Sequence, residues 1–203
     1  SRTKKCIYFL YIHTISVNGG NFMKATGIVR RIDELGRVVI PKEIRRTLRI
    51  KEGDPLEIFT DRDELMLKKY SPIATLERFS VATVKSLNDL SGKLAVICDT
   101  DEILCAYGEG KKELDGKNLS EEMDKILRER RSYLANASEG GDILPLTSSR
   151  EEGITAQIIV PIVANGDCLG AVAVLTREEG AKLDNNILNL VRLTAEILAN
   201  QFD

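Results

Sequence analysis

The sequence predicts an α+β protein of two domains: a small β-rich head over residues 23–75 and a larger mixed domain over 76–203. Three observations lead there. Between residues 25 and 70, runs of β-branched residues alternate with turn chemistry around one short helical stretch. Beyond residue 76, two helical stripes bracket several short apolar strands, two of them joined by Asn165-Gly166. Charge divides at the same place: residues 23–75 hold 12 Lys and Arg against 9 Asp and Glu, whereas residues 76–203 hold 14 against 22. A basic head on an acidic body suggests that the head faces a polyanion.

In the head, "TGIVRRI" and "RVVI" read as strands and "DELG" as the turn between them. Pro41 suits the first turn of the helix "PKEIRRTL", where Ile44 and Leu48 share a face and Arg45, Arg46 and Arg49 lie mostly elsewhere. Gly53, Asp54 and Pro55 end that helix and launch "LEIFT", and "DRDE" turns the chain into "LMLKKY". So short a unit buries little core alone, which makes dimerisation its natural remedy.

In the body, a helix starts near Pro72, ends at Gly92, and repeats Ile73, Leu76, Phe79, Val84 and Leu87 at helical spacing. Two strands follow, "KLAVICD" and "EILCAY", around an Asp-Thr-Asp turn. Residues 119–134 read as helix and 135–153, rich in Ser, Gly and Glu, as loop. "ITAQIIVPIVANGDCLGAVAVLT" is a hairpin. The last helix carries Leu183, Ile187, Leu190, Val191, Thr194, Ile197 and Leu198 on one stripe, with Leu188 and Leu193 on a second apolar side. A helix so broadly apolar packs against more than one neighbour and can join subunits.

Residues 1–22 stand apart. "RTKKCIYFLYI" has a basic start and an apolar run too short to span a bilayer. The expectation is that the natural chain begins at Met23, with 1–22 an upstream extension, non-native or disordered. The cysteines Cys6, Cys98, Cys105 and Cys168 form no CxxC pair, and the last three sit in or beside apolar stretches, as free thiols of a reduced, cytoplasmic protein would.

The densest chemistry is "RRIDELGRVVIPKEIRR", residues 30–46, with five arginines in seventeen positions. Guanidinium groups match phosphates and guanine edges. Residues 24–50 as a whole closely resemble the AbrB-type DNA-binding domain, a swapped-hairpin fold related to MazE antitoxins, and residues 51–70 continue in the style of that family. The resemblance implies that two chains exchange hairpins to form one β-barrel head on double-stranded DNA. It implies that Arg30, Arg31, Arg37, Arg45 and Arg46 contact the duplex, with Lys24 a weaker addition. Asp33 and Glu34 oppose phosphate binding, so they are expected to orient neighbouring arginines or cap the turn. Gly36 and Pro41 are expected to be structural.

"VPIVANGDCLGAVAVL" resembles the central hairpin of the GAF fold, which implies a C-terminal α/β sandwich flanked by helices. An AbrB-type head on a GAF-like tail is an arrangement of developmental transcription regulators of spore-forming bacteria, which points to sporulation-stage gene control. Three roles compete for the tail. It could oligomerise the heads into a homotetramer through helices 73–90 and 183–201, raising avidity. It could hold an unidentified small-molecule ligand, with Ser138, Asp142, Thr147 and Ser148 of the loop lining the pocket. It could act as an enzyme, since some GAF-fold proteins use cysteines to reduce methionine sulfoxide. The third has least behind it: His13 is the lone histidine, and nothing beside the thiols would activate them. Neither a catalytic triad, a metal-ligand spacing nor a cofactor motif is present. Asp99/Asp101 and Glu121/Glu122 suit turns and helix starts. A second class of function is an antitoxin-like DNA-binding partner of a toxin protein; antitoxin tails tend to be short and disordered, whereas this tail is long and patterned.

Overall fold

The computed structural model describes residues 10–11, 27–62 and 64–202. The chain divides into two compact units, residues 1–70 and 71–203. In the first, β1 (Leu10–Tyr11) runs parallel to part of β3; the rest of the 1–22 segment lies outside the described residues. The short helix α1 spans Lys42–Thr47 behind Pro41 at its N-cap. β2 (Leu56–Asp61) and β3 (Glu64–Lys69) form an antiparallel hairpin with Leu56 opposite Lys69 and Phe59 opposite Met66.

Among the described residues, the expected strands on either side of the 33–36 turn do not form a ladder. The turn itself closes, with Gly36 N–H donating to the Asp33 carbonyl at 3.0 Å and Asp33 N–H to the Arg37 carbonyl at 3.1 Å. A lone short hairpin is marginal in water. Several apolar side chains of the arms flanking the turn are left in water, Val29 at 61% exposed, Leu35 at 75% and Val39 at 73%, while Ile28 and Ile40 are half-buried.

The second unit is a five-stranded antiparallel sheet in the order β5-β4-β8-β7-β6. A 3-10 turn over Ile73–Leu76 leads into α2 (Glu77–Ser91), which Gly92 ends in the left-handed conformation. β4 (Leu94–Cys98) and β5 (Ile103–Tyr107) follow, then α3 (Glu121–Glu129), β6 (Tyr133–Asn136), β7 (Ala156–Ala164), β8 (Asp167–Thr176) and α4 (Asn185–Ala199). α2 and α4 cover one face, burying Val84, Leu87, Val191 and Leu198 against Ile97, Ile158, Ile162 and Val174. α3 and the loops around it cover the other, where Leu114, Leu119, Met123 and Leu146 meet Val96, Ile159 and Leu175. Each such aliphatic side chain stabilises by about 1.5–3 kcal/mol relative to exposure.

Several expectations are sharpened. Asn165 and Gly166 take φ of 50° and 84°, the pair of left-handed residues that a two-residue hairpin turn needs. Asp99 closes the β4–β5 turn by accepting from Asp101 N–H (2.7 Å) and Glu102 N–H (2.9 Å). The helix expected over 119–134 stops at Glu129, and Tyr133–Asn136 is instead an edge strand on β7. Arg130, left-handed at φ 53°, breaks the helix there. On α4 the core stripe is Leu188, Val191, Ala195 and Leu198, while Leu193 and Ile197 are exposed. Position 188 therefore faces the sheet, and 197 turns away. On α2, Phe79 also faces outward.

Candidate nucleic-acid interface

The candidate interface is built around one carboxylate. Asp33 Oδ1 accepts from the backbone N–H of Leu35 (3.0 Å) and of Arg37 (2.8 Å). Asp33 Oδ2 accepts from Arg37 Nε at 2.7 Å. These donors, the Arg37 backbone N–H first and its guanidinium second, hold the Asp33 carboxyl below the ordinary aspartate range. Gly36, at φ 76°, supplies the left-handed residue that lets the chain reverse here.

Arg30 and Arg31 lie on the arm entering this turn and Arg37 opens the arm leaving it; all three are exposed. Arg45 and Arg46 sit in the last turn of α1, also exposed, where their charge complements the helix dipole. Among the described residues, Arg30, Arg31, Arg45 and Arg46 make no ion pair with an acid; Arg37 alone of the five does. Lys24 lies outside the described residues. Lys42, in the first turn of α1, is a further exposed cation that the sequence reading passed over; its place in the same "KEIRR" run was the available signal. Past the helix, Asp54 ties the chain back to the hairpin by accepting from Lys51 N–H (2.7 Å) and pairing with Lys69 Nζ (3.0 Å). No strand pairing clamps the arginine-bearing arms to α1 among the described residues. What one chain provides is a set of exposed, largely unneutralised guanidinium groups on bare arms and a short helix. Such groups are suited to phosphates, at an affinity that falls steeply with salt.

The tail offers less to a ligand. Of the loop groups expected to line a pocket, Ser138 and Asp142 are exposed and Thr147 is buried. The loop is bonded to itself and its neighbours. The Glu151 carboxylate accepts from Leu146 N–H and Thr147 N–H, both at 2.8 Å, and Ser148 Oγ donates to the Leu119 carbonyl at 2.8 Å. Tyr133 OH donates to the Asp142 carbonyl at 2.8 Å. Ser120 caps α3 by accepting from Met123 N–H while its hydroxyl donates to the Pro145 carbonyl at 2.6 Å. Burial pushes the thiols of Cys98, Cys105 and Cys168 up, that of Cys105 to about 12. Thiols so protonated are poor nucleophiles.

Comparison with known proteins follows the same division. Residues 75–203 match the family described as stage V sporulation protein T C-terminal, transcription factor, and residues 29–75 match the family described as antidote-toxin recognition MazE, bacterial antitoxin. The stage V sporulation protein T of Bacillus subtilis (strain 168) is 48% identical over 158 residues, which is 77% of this chain and 87% of that protein.

The chain belongs to the stage V sporulation protein T family.

The transition state regulatory protein AbrB of the same organism is 52% identical over 75 residues, 37% of this chain and 78% of AbrB. Among solved structures, the GAF domain of an Acinetobacter phosphoenolpyruvate-protein phosphotransferase aligns with 63% of this chain and 86% of its own, at 13% identity and a TM-score of 0.52. That likeness shows the tail's fold alone: a GAF-like sandwich. The head is AbrB-like, and the family match of residues 75–203 with the sporulation relative makes the chain a DNA-binding transcription regulator of the sporulation class. The antitoxin match ends at residue 75 and all that follows matches a transcription-factor family, so the antitoxin reading is not favoured.

Proposed function

We propose that two copies of this chain interlock their 27–40 arms into one head, which lays Arg30, Arg31, Arg37, Arg45 and Arg46 on duplex DNA, with Lys24 as a lesser contact. The observation that carries the proposal is the pairing of bare apolar arms with unneutralised arginines. Val29, Leu35 and Val39 are uncovered among the described residues, and a second copy of the same arms would cover them. The boundaries are head 23–75 and tail 76–203. The tail's role is to link heads: Phe79, Val81 and Leu90 on α2 and Leu193 and Ile197 on α4 leave apolar surface outward on the two helices of one face, which supports a tetramer built by tail pairing. Small-molecule sensing draws less support, because the space between sheet and loop is filled by Leu114, Leu119, Met123 and Leu146. The protein is a regulator without catalytic activity that acts in the cytoplasm; burial raises the thiol pKa values of Cys98 and the half-buried Cys105, which speaks against thiol chemistry.

Replacement of Arg45 by Ala tests the assignment. It is expected to weaken duplex binding by roughly 10- to 100-fold and to flatten the salt dependence, with melting temperature and oligomeric state retained. Unaltered affinity across a salt series would remove α1 from the interface.

A further inference from the structure

We infer that Asp33 is a positioning residue for DNA binding: it grips Arg37 by the Nε edge and leaves the Nη1/Nη2 fork presented to an acceptor on the duplex. The inference rests on the assignment of Arg37 to the DNA surface.

An acid in the middle of an arginine cluster is a liability on electrostatic grounds alone, since it repels the phosphates that its neighbours attract. Its placement here is specific. One carboxylate oxygen serves the turn, accepting the N–H groups of Leu35 and Arg37, and the other is committed to Arg37 Nε at 2.7 Å. Nε is one of five donors on a planar, rigid group. With that edge occupied, the guanidinium plane is fixed relative to the turn, and the four N–H donors on Nη1 and Nη2 remain. Among the described residues, neither nitrogen has a hydrogen-bond partner, and the Arg37 side chain is 70% exposed. A bidentate match to guanine or phosphate uses a fork of this kind. An arginine already held loses less rotamer freedom on binding than a free one. Among the described residues, Arg30, Arg31, Arg45 and Arg46 have no such acid partner, so this arrangement singles out Arg37 as the pre-aimed contact.

The two views of Asp33 predict opposite signs for one substitution. In Asp33→Asn the amide oxygen still accepts the two backbone N–H groups, so the turn stays closed. Its NH2 meets the Nε donor and releases Arg37. If Asp33 were only a misplaced negative charge, Asp33→Asn would tighten DNA binding. If it positions Arg37, binding to a preferred sequence weakens although a repulsive charge has gone.

The experiment uses the full chain and two probes: the tightest duplex that the unmodified protein selects from a random-sequence pool, and the unselected pool. Fluorescence anisotropy at fixed salt is expected to give about a tenfold loss for Asp33→Asn on the selected duplex. The unselected pool should bind as before or more tightly. Arg37→Ala should lose affinity for the selected duplex, and the double variant should be no weaker than Arg37→Ala alone. Selected-duplex binding by Asp33→Asn at or above the unmodified level, with Arg37→Ala impaired, overturns the positioning role and leaves the arginine assignment standing. Arg37→Ala indistinguishable from the unmodified protein overturns both. Should Asp33→Asn not fold, Asp33→Ser, whose hydroxyl also accepts from the turn, is read by the same criteria. Solvent exchange of the Arg37 Nε–H, followed by NMR in the unmodified free protein, gives an independent reading: slow exchange is expected, and exchange as fast as that of the other arginines overturns the proposal.

Discussion

The 27–40 arms and the 71–202 unit meet the burial requirement in different ways. The tail closes its own core: every strand of its sheet is paired, and helices or loops cover both faces. The arms carry residues just as apolar, yet Val29, Leu35 and Val39 stay in water beside a closed local turn. The difference tracks length. A five-stranded sheet with three helices has enough chain to enclose a core, whereas a fifty-residue β unit does not. Among the described residues the head thus leaves apolar side chains uncovered, and the arginines proposed for DNA lie on these arms and the helix beside them.

Separating the two regions is the strongest way to break this comparison. A fragment of residues 71–203 is expected to unfold cooperatively as an independent unit, whereas a 23–75 fragment should show a melting midpoint that rises with concentration. On duplex DNA the head fragment should bind about 10²–10⁴-fold more weakly than the whole chain, the loss coming from unlinked heads. Equal affinity in an anisotropy titration would remove the tail from DNA binding.

A matched pair of glycine substitutions sharpens the contrast. In Gly170→Ala the added Cβ would meet the Cys98 carbonyl oxygen at 2.0 Å, inside the β4–β8 pairing. Backbone has to move, so denaturant unfolding of the tail should report a loss of about 2–3 kcal/mol or more. In Gly36→Ala the added methyl meets nothing within 4 Å, and the cost is that of holding alanine at φ 76°, about 1 kcal/mol.

Acid gives the smallest effect. Asp33 and Asp184 both sit below the ordinary aspartate range, Asp184 because Ile187 N–H at the start of α4 donates to it, joined by Asn186. A depressed carboxyl contributes fully above its unfolded value, and the contribution goes as pH falls through the folded one. Melting temperatures should therefore hold from neutral pH to about pH 5 and slip by a few degrees below about pH 4. In the head the same titration frees Arg37; in the tail it loosens only a helix cap.

How far the sequence could be read follows the same division. Turns announced themselves through residue types that few other positions need, so Asn165-Gly166, the Asp99 turn and the Asp33–Gly36 turn fall where composition put them. Strands in the tail were legible because their apolar runs end at such turns. The edge strand 133–136 was not: "YLAN" is short, and its pairing with β7 is a long-range choice that no local pattern encodes. The α4 stripe was off in detail for a related reason. With Leu at 188, 190 and 193 and Ile at 187 and 197, several rotations are equally apolar, and the sheet beneath decides among them. In the head, the arginine cluster was plain as composition, and the turn-capping, arginine-orienting part of Asp33 was foreseeable from its setting. That Arg37 alone would be gripped, and by Nε, needed three dimensions.

The bare arms carry a consequence for gene control. If the head forms only when two copies meet, as proposed, promoter occupancy scales with at least the square of chain abundance at low expression. Small changes in synthesis or turnover would then be read as a threshold, a sharpness that comes from stoichiometry and needs no inducer.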